Sequence, residues 1–580
     1  MEKNKKISFM RSLCMGEIEQ DLLTPFPKVA DAEKETLRGV FSSVNPWLKA
    51  HEKDFRTWDR AGELPKEFLQ EMRDLGLFSL IIPEDSGGLG LSSTGYSRVL
   101  QELAKHDGSV AITAGAHSSI GMKGLILFGT KEQKEKYYSK LASGEMIAAF
   151  CLTEPGAGSD AAAIKTKAVK DGDGWIISGE KLWITNGGIA SFFTVFAKTE
   201  GHEGKMTAFI VTKDMAGVTC GPHEDKMGIR ASSTCTVNLD KVKVPADNIL
   251  GEVGKGFKVA MNILNNGRSG LGGGCVGMMK HLIGLATKQA KERAQFGSKI
   301  AEYGLIKQKI GHMVVECYAS ETAVALVAGL VDQGFEDYAV EAAISKVFAT
   351  ECLWRVADEA LQIAGGNGFM CEFPYERIMR DARINRIFEG TNDILRLFIS
   401  LTAMHDVGQN LKNLSQSLEG IFNDPIKGFG VLSEYSLKKI SQVTGIKKGN
   451  KSSFNKLHPS VKPQREIFEE GVRTLSLAAD RILRKHGKSI IGKQFATKRL
   501  ADIMIDLFVL AAVLSRVSTS IQDNGQANGA KEMEILQIFA GQVQRRTRGN
   551  FGKIDDNDDE LIKSLANHAL ENEKYIWDNV

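Results

Sequence analysis

The chain has 580 residues, and its 74 basic and 71 acidic side chains leave a formal net charge of +3. Hydrophobic residues make up 43% and charged residues 25%, a globular composition that excludes a disordered chain. The near-neutral charge balance excludes a globally basic nucleic-acid-binding protein, so we expect no nucleic-acid partner. At roughly 100–200 residues per domain, the length predicts about three to five domains.

The apolar runs of the C-terminal part are too short to span a membrane. The run LFVLAAVLS at Leu507–Ser515 lies between Asp506 and Arg516, whereas a spanning helix needs about 18 or more apolar residues. We therefore expect a buried helix at this position and a soluble protein.

Cysteine and histidine spacing predicts neither a disulfide framework nor a metal site. The eight cysteines contain no CxxC pair and the eleven histidines no HExxH, whereas both kinds of site need clustered ligands. We expect reduced, mostly buried thiols and no metal. Residues 1–23 lack the apolar core of a signal peptide, and their acidic residues are untypical of a transit peptide, so we expect the chain to act where it is made.

Helical patterns dominate residues 25–149. Leu64–Leu77, Tyr96–Leu103 and Lys131–Leu141 show apolar residues at three- and four-residue spacing, with a turn-rich stretch after the first of them. These patterns predict an N-terminal helical domain, preceded by an N-terminal segment at residues 1–24.

Near residue 150 the hydrophobic period becomes strand-like. Short β-branched and aromatic runs occur at Trp175–Ile177, Leu182–Ile184, Phe192–Phe196 and Ala208–Val211. Because Gly-rich turns separate runs of this kind, we predict short strands that form a middle β domain at residues 150–256.

Helical patterns return from Phe257 and predict a helical bundle at residues 257–405. A basic linker is predicted at 406–463, because eight lysines and one acid between Lys427 and Lys462 give a local charge of +7, which is typical of a mobile loop. Residues 464–580 are helical again. The fold class is therefore mainly α with a central β domain and an extra C-terminal helical domain.

Three glycine-rich segments resemble nucleotide-binding motifs. Gly272–Gly277 matches GxGxxG but lies in a helical pattern without a preceding strand, which favours tight helix packing. Gly487–Ser489 lacks the upstream glycine of a P-loop, since Ile482 stands there. Pro155–Asp160 lies at a strand–loop junction, where glycines let backbone amides approach a ligand; a plain turn is the alternative.

The segment RIFEGTND at Arg386–Asp393 contains the sharpest catalytic candidate. Glu389 follows apolar residues, and an apolar environment raises a carboxyl pKa toward the value that suits a general base. The alternative is that Thr391 or Asn392 caps a helix and Glu389 lies in its first turn without a catalytic role. The local pattern leaves both interpretations open.

Five motifs in order resemble the acyl-CoA dehydrogenase family over nearly the whole chain. They are CLTEPGAGSD (151–160), KLWITNGG (181–188), RAQFG (293–297), QIAGGNGF (362–369) and RIFEGTNDILR (386–396). The helical tail after residue 405 resembles the subgroup formed by the very-long-chain acyl-CoA dehydrogenase and the complex I assembly member. The resemblance implies an N-terminal helical domain, a β-barrel-like middle domain, a C-terminal four-helix bundle and the extra helical domain.

The resemblance also implies a reaction. Glu389 would remove the α-proton of a long- or very-long-chain fatty acyl-CoA while N5 of FAD accepts the β-hydride, which gives trans-2-enoyl-CoA in fatty acid β-oxidation. In the family, a flavin ribityl hydroxyl and the backbone N–H of the glutamate bind the thioester oxygen, and electron-transfer flavoprotein takes the electrons. Two alternatives remain, a non-catalytic assembly factor of a respiratory complex and an acyl-CoA oxidase that uses oxygen.

The resemblance further implies three sets of binding residues. Beside the flavin ring and the base lie Phe150, Leu152, Thr153, Ser159, Trp183, Ile184, Thr185, Thr391, Asn392 and Asp393. A second set would meet the FAD of a neighbouring subunit, which implies a homodimer: Arg293, Gln295, Phe296, Gln362, Gly365 and Gly366. A third set would contact the acyl-CoA: Ser159, Asn265, Asn266, Gly267, Arg268 and Gly390.

Two expectations concern location. Lysines near an anionic lipid surface gain about 1 kcal/mol each, so Lys427–Lys462 and the C-terminal domain are candidates for a peripheral membrane contact; a solvated loop is the alternative. The expected compartment is a bacterial-type cytoplasm, with peripheral contact to the inner membrane face. For a processed eukaryotic chain it is the mitochondrial matrix or inner membrane.

Overall fold

The computed structural model describes residues 7–419 and 453–578. The chain divides into two compact units, one formed by Phe26–Ile394 and the other by Met1–Pro25 together with Leu395–Val580. Most of the predicted lysine-rich linker lies outside the described residues, including Lys427, Lys438, Lys439, Lys447, Lys448 and Lys451.

Helices form the first part of the larger unit and confirm the helical patterns of residues 25–149. Helix α1 (Phe9–Cys14) belongs to the smaller unit. The helices that follow it are α2 (Asp31–Ala50), α3 (Asp54–Ala61), α4 (Lys66–Asp74), α5 (Ser93–His106), α6 (Gly108–Ala116), α7 (Lys123–Phe128) and α8 (Lys131–Ala142).

Polar caps determine where α5, α6 and α8 begin. The Ser92 side chain accepts a hydrogen bond from Gly95 N at the start of α5, and Asp107 accepts from Ser109 N and Val110 N at the start of α6. Thr130 opens α8 with a capping box. Each of these caps satisfies backbone N–H groups that the first turn leaves without an intrahelical partner.

The middle of the unit is an eight-stranded mixed sheet. Its strands are β1 (Ala148–Cys151), β2 (Lys167–Asp171), β3 (Gly174–Thr185), β4 (Phe192–Thr199), β5 (Met206–Thr212), β6 (Val218–Cys220), β7 (Thr234–Val244) and β8 (Ile249–Leu250). Their order is β6-β7-β3-β2-β4-β5-β8, and β1 lies parallel to β4.

One strand prediction was wrong. The runs Trp175–Ile177 and Leu182–Ile184 belong to the single strand β3, because Gly179–Lys181 continue the pairing with β7 between two register shifts. A bulge adds a residue and bends a strand without ending it, which the period of the sequence does not show.

The sheet divides at β4 and so brings two predicted cofactor segments together. β1 pairs with Phe192–Val195, whereas β2 pairs only with the far end of β4, at Lys198 and Thr199. The chain that leaves β1 is held to β3 by a hydrogen bond from Leu182 N to Thr153 O (2.9 Å).

Long helices complete the larger unit. They are α9 (Gly256–Glu292), α10 (Gly304–Asp332), α11 (Ala339–Ala364), α12 (Gly366–Phe369) and α13 (Tyr375–Ile384), followed by the first turn of α14 (Asn392–Ala403), whose residues from Leu395 onward belong to the smaller unit. A small hairpin of β9 (Ala294–Gln295) and β10 (Ser298–Lys299) separates α9 from α10.

The GxGxxG match at Gly272–Gly277 lies inside α9, as predicted, and serves helix packing. A Cβ atom on Gly277 would lie 1.9 Å from Gln101 O of α5, and one on Gly273 would lie 2.5 Å from Ser97 Oγ. Only glycine permits so close an approach of the two helices.

Two stretches of the described chain are long and apolar enough to cross a membrane by length and composition. They are Gly108–Phe128 and Gly304–Asp332, and 67% of the most apolar window of each is buried inside the protein. Core helices of a folded unit meet the same criteria, and this burial is the expected pattern for them.

The smaller unit is helical and has a core of its own. Besides α1 it contains α15 (His405–Glu419), α16 (Lys462–His486), α17 (Gln494–Asn524), α18 (Ala530–Gly552) and α19 (Asp559–Asn572). Every residue of Leu507–Ser515 in α17 is buried, which confirms the prediction of a buried helix there.

The structure adds detail to the predicted linker and to the helical region that follows it. The predicted linker at 406–463 contains α15 at its start and a packed segment at its end, where Phe454 is fully buried with its ring 5.9 Å from that of Phe468. Lys456, one of the eight lysines, forms an ion pair with Asp21. The helical pattern after Gln464 is interrupted by the 3₁₀ turn Gly487–Gly492.

The glycine contact between α5 and α9 makes a testable prediction about stability. We expect Gly277→Ala to lower the melting temperature, because overpacking against a backbone carbonyl costs about 1–3 kcal/mol or more. Differential scanning calorimetry of the purified protein would measure the shift.

Gly284→Ala is the matched control on the same helix. An added Cβ at Gly284 meets nothing within 4 Å, and alanine favours an exposed helix position over glycine by about 0.5–1 kcal/mol. Equal melting temperatures for the two variants would contradict the packing role of Gly277.

Candidate functional site

The loop between α13 and α14 carries Glu389 in a strained conformation. Glu389 has φ +57° and Gly390 φ +92°, so two consecutive residues adopt the left-handed region. For glutamate this costs about 1–3 kcal/mol and persists only where surrounding contacts impose it. The loop is closed by a hydrogen bond from Asn392 N to Arg386 O (3.1 Å).

The Glu389 carboxyl group is buried and partly unsatisfied. Its Oε2 is shielded from solvent and has no hydrogen-bond partner. Burial raises the pKa of Glu389 to about 7, and the positive charges of Arg268 and Lys346 oppose that rise without cancelling it. A carboxyl with this pKa can accept or release a proton near neutrality, as a general base must.

Arg268 of α9 is a buried cation close to the carboxyl group. It is 5% exposed, and its Nη1 donates to Asn265 Oδ1 (2.6 Å) while its Nε has no partner. Burial lowers the pKa of Arg268 to about 10, so the guanidinium remains charged at neutral pH. One unsatisfied donor and one unsatisfied acceptor thus lie in the same buried region.

A narrow apolar cavity of about 60 Å³ begins at Glu389 and runs between α5, α6 and α9. Eight of its nineteen lining residues are glycine or alanine, namely Ala104, Gly108, Ala111, Gly115, Ala116, Gly267, Gly270 and Gly274. Gly267 lies at the carboxyl end, since a Cβ there would be 3.8 Å from Glu389 Oε2. The remaining walls include Ile112, Leu271 and Phe388. Such a lining suits a hydrocarbon chain.

A larger cavity of about 810 Å³ does not include Glu389. Charged side chains such as Arg56, Arg230 and Glu376 dominate its lining. We assign the candidate active site to the smaller cavity, because the perturbed carboxyl and the apolar walls meet there.

The predicted cofactor segments after β1 and in β3 present different groups. Phe150 and Leu152 pack toward the helical side of the sheet, where the Phe150 ring lies 5.1 Å from that of Phe196. Ile184 is 2% exposed in the core of the opposite face, so its backbone rather than its side chain is available to a ligand. Thr153 and Thr185 are partly exposed, and Ser159 is exposed.

Trp183 stands out among these residues. It has φ +56° and its side chain is 63% exposed. A large aromatic side chain in the left-handed region is a costly conformation. A planar ligand stacked on the indole would cover the apolar surface that this conformation presents, so this position fits the flat ring system of a flavin.

Around the base, the structure separates the predicted contacts. Thr391 Oγ1 accepts from Ile394 N (3.3 Å) and so caps α14, while Asp393 is exposed. Asn392 is 2% exposed and its side chain is bonded to α11, which fits a role in holding the loop better than a side-chain contact to a cofactor. Gly390 has no side chain, and its carbonyl oxygen accepts a hydrogen bond from Lys346 Nζ.

Among the predicted cofactor- and substrate-binding residues only Gly267 lines the cavity, and the six predicted to meet the FAD of a neighbouring subunit are exposed elsewhere. Arg293, Gln295, Gln362, Gly365 and Gly366 are exposed, and Phe296 at the tip of the β9–β10 hairpin is 95% exposed. On the predicted substrate side, only Gly267 of residues 265–268 lines the cavity. Asn266 Nδ2 instead donates to Asn262 O (3.0 Å).

Sequence reasoning missed Lys346 of α11. Its side chain is fully buried, and burial lowers its pKa to about 7. The available signal was a lone lysine in the apolar run AAISKVFA, since lysine is rarely fully buried unless it is paired. In the described part of the chain, no group of three His, Cys, Asp or Glu side chains could hold a metal.

Four family models match the chain. They are the acyl-CoA dehydrogenase N-terminal domain at residues 35–145, the middle domain at 149–242, the C-terminal domain at 254–404, and the ACAD9/ACADV C-terminal domain at 459–575.

Full-length relatives agree with these models. The very long-chain specific acyl-CoA dehydrogenases of Rattus norvegicus and Homo sapiens, both mitochondrial, are 40% and 43% identical. The matches cover 99% and 96% of this chain and 88% and 85% of those proteins. The crystal structure of an acyl-CoA dehydrogenase complexed with FAD from Bacillus anthracis is 32% identical, with a TM-score of 0.78 over 96% of this chain and 94% of that chain.

The chain belongs to the acyl-CoA dehydrogenase family, whose members are FAD oxidoreductases. The predicted family resemblance and fold class are thereby confirmed, including the extra C-terminal domain.

Burial of the Glu389 carboxylate makes a prediction about stability. Its pKa rises from 4.5 to about 7 on folding, so the stability linked to its proton is present at low pH and lost as the pH rises through 7. We expect Glu389→Gln, which carries no charge, to raise the free energy of unfolding near pH 8 by roughly 1–3 kcal/mol. The gain should shrink below pH 6.

Thermal melting of wild type and variant across this pH range would measure the difference. Glu67→Gln at an exposed position of α4 is the matched control and should change the melting temperature little at any pH. A Glu389→Gln protein less stable than wild type at pH 8 would contradict the prediction.

Proposed function

We propose that this protein converts long- and very-long-chain fatty acyl-CoA into trans-2-enoyl-CoA, with Glu389 as the base. The observation that carries the proposal is the buried, partnerless Oε2 of Glu389, which has a pKa near 7 and lies at the end of an apolar cavity.

The surroundings of Glu389 support its proposed role as the base. Above pH 7 the Glu389 carboxylate is ionised, and an acyl chain in the cavity would exclude water from it and strengthen its basicity. Arg268 and Lys346 keep part of the carboxylate population charged despite burial. The α-proton of a thioester is weakly acidic, so a desolvated carboxylate held against the α-carbon is required.

FAD fits the segments on the other side of the site, where it would accept the β-hydride. Trp183, Thr153 and Thr185 would hold the ring, and Thr391 and Asp393 follow the base on the adjoining loop. The exposed indole of Trp183 is the feature of the structure that supports this placement.

A homodimer is part of the proposal. Phe296 is 95% exposed, and Phe369 and Met370 beyond α11 are 74% and 51% exposed. These apolar side chains lie next to the predicted Arg293, Gln295, Gln362, Gly365 and Gly366, none of which lines the cavity. A second copy of the chain that brings its cofactor to this surface would cover them.

The small lining residues support a long acyl chain. Gly267, Gly270 and Gly274 follow one another along α9 from Glu389, and a seven-residue advance along a helix is about 10 Å. Leu271 and Met278 are the larger side chains that α9 adds to the lining, and the three glycines between and beside them leave space past the thioester end, which supports the substrate class in the names of the relatives.

The remaining partners follow from the family. We propose electron-transfer flavoprotein as acceptor, and the mitochondrial matrix as compartment in a eukaryote or the cytoplasm in a bacterium; the mitochondrial relatives support the first. A peripheral membrane contact through Lys427–Lys462 and the C-terminal domain stays a proposal, as do the domain boundaries 25–149, 150–256 and 257–405. The ranges matched by the family models support these boundaries.

Replacement of the base tests the reaction. Glu389→Gln should keep FAD bound but abolish reduction of the flavin by palmitoyl-CoA under anaerobic conditions, because the amide cannot accept the α-proton. Flavin absorbance in a stopped-flow experiment measures the rate. Substantial residual bleaching in the variant would overturn the assignment of Glu389.

The same wild-type experiment separates the alternatives. Transfer of electrons from the reduced enzyme to electron-transfer flavoprotein, with slow reoxidation in air, supports a dehydrogenase. Fast reoxidation by oxygen would indicate an oxidase, and loss of FAD on binding a respiratory-complex partner would indicate an assembly factor.

Filling the cavity tests the chain-length proposal. We expect Gly274→Leu to lower the rate with palmitoyl-CoA about tenfold or more while octanoyl-CoA keeps most of its rate, because only the longer chain reaches Gly274. Gly284→Leu on the exposed side of α9 is the control and should affect both substrates equally. An equal loss for both acyl-CoAs in Gly274→Leu would contradict this placement of the chain.

A further inference from the structure

The side chain of Lys346 is hydrogen-bonded to the loop that carries Glu389. Its Nζ donates to Gly390 O (2.8 Å) and to Asn392 Oδ1 (2.8 Å), which lie one and three residues after Glu389. Within the described residues, no carboxylate oxygen lies within ion-pair distance of this Nζ. The two loop oxygens that accept its hydrogen bonds are both neutral.

Asn392 links the same loop to two further residues of α11. Its Nδ2 donates to Thr350 Oγ1 (3.0 Å) and Glu351 Oε1 (2.9 Å). Thr350 Oγ1 in turn donates to Lys346 O (2.9 Å). Glu351 also pairs with Arg386 at the other end of the loop (3.0 Å). Both ends of the Arg386–Asn392 loop are thus tied to about one and a half turns of a single helix.

These contacts account for the backbone of Glu389. Two consecutive residues in the left-handed region would relax to a common conformation unless something held the chain beyond them. Gly390, the second residue of this pair, is fixed by the hydrogen bond that its carbonyl oxygen accepts from Lys346 Nζ.

We propose that Lys346 is a positioning residue for the base, whose ammonium holds the Arg386–Asn392 loop so that the Glu389 carboxylate faces the acyl cavity. The proposal deepens the proposed function and rests on Glu389 as the base. Lys346 itself does not line the cavity.

The charge of Lys346 has a second effect. Arg268 and Lys346 lower the pKa of Glu389, and Tyr96 of α5 also faces it. Lys346 faces Arg268, which lowers its pKa, and Cys275, Glu389 and Glu351, which raise it. Removal of the ammonium should therefore move the ionisation of Glu389 to higher pH.

The test compares Lys346→Met with Asn392→Ala in the FAD-bound enzyme. For Lys346→Met we expect flavin reduction by palmitoyl-CoA to slow by about 100-fold, because a base displaced by about 1 Å lowers the rate by about that factor. The dissociation constant of palmitoyl-CoA and the FAD content should change little. The acidic limb of the pH–rate profile should move to higher pH. Asn392→Ala should also slow the reaction but leave that limb in place, because the ammonium remains.

Lys280→Met is the matched control. Lys280 of α9 also makes two side-chain hydrogen bonds, to Gln101 Oε1 (2.7 Å) and to Glu321 Oε1, and has no contact with the loop of the base. We expect its rate and pH profile to match those of wild type.

The outcomes separate the two proposals. Wild-type rate and pH profile in a folded, FAD-bound Lys346→Met would overturn the positioning role. If that variant does not fold, Asn392→Ala decides, and a wild-type rate there overturns it equally. If wild-type flavin is not reduced by palmitoyl-CoA, the proposed function itself fails.

Discussion

Burial of one carboxylate is the constraint on which the candidate site depends. Removing Glu389 from water raises its pKa into the working range of a base, but the same burial opposes the charge that the base needs. Two cations from different helices, Arg268 of α9 and Lys346 of α11, restore part of that charge. Neither forms an ion pair with the carboxylate, which would lower its basicity and occupy the oxygen that must meet the substrate. The site thus uses charge at a distance where a direct contact would disable it.

The surrounding fold supplies the geometry for this compromise. Helix α9 approaches α5 closely through glycine, and this contact sets the width of the space between α5, α6 and α9 in which the apolar cavity runs. The division of the sheet at β4 places the segment after β1 beside β3, so that Thr153 and Trp183 belong to one surface. Helix packing therefore shapes the cavity beside Glu389, and strand pairing shapes the surface that carries Thr153 and Trp183.

Much of the fold could be predicted from the period at which apolar residues recur in the sequence, because that period shows which face of one helix or strand is buried. It identified the helices, the middle strands, the buried run in α17 and the helical nature of Gly272–Gly277. It failed where the answer depends on a partner in space. The two runs of β3 looked like separate strands because a bulge leaves no periodic signal. Glu389 could be named from its motif, but its left-handed backbone and its anchor at Lys346, 43 positions earlier, come from tertiary packing alone.

The length of α9 has a consequence for how the protein is organised. The helix carries Arg268 beside the base and ends next to Arg293, 25 residues later, which at 1.5 Å per residue is about 38 Å away. Two side chains that far apart on one helix cannot serve the same reacting centre. If both Arg268 and Arg293 act in catalysis, each chain contributes one of them to its own reaction and the other to a second reaction elsewhere. Catalytic competence would then belong to the pair of chains, with α9 as the spacer between two centres.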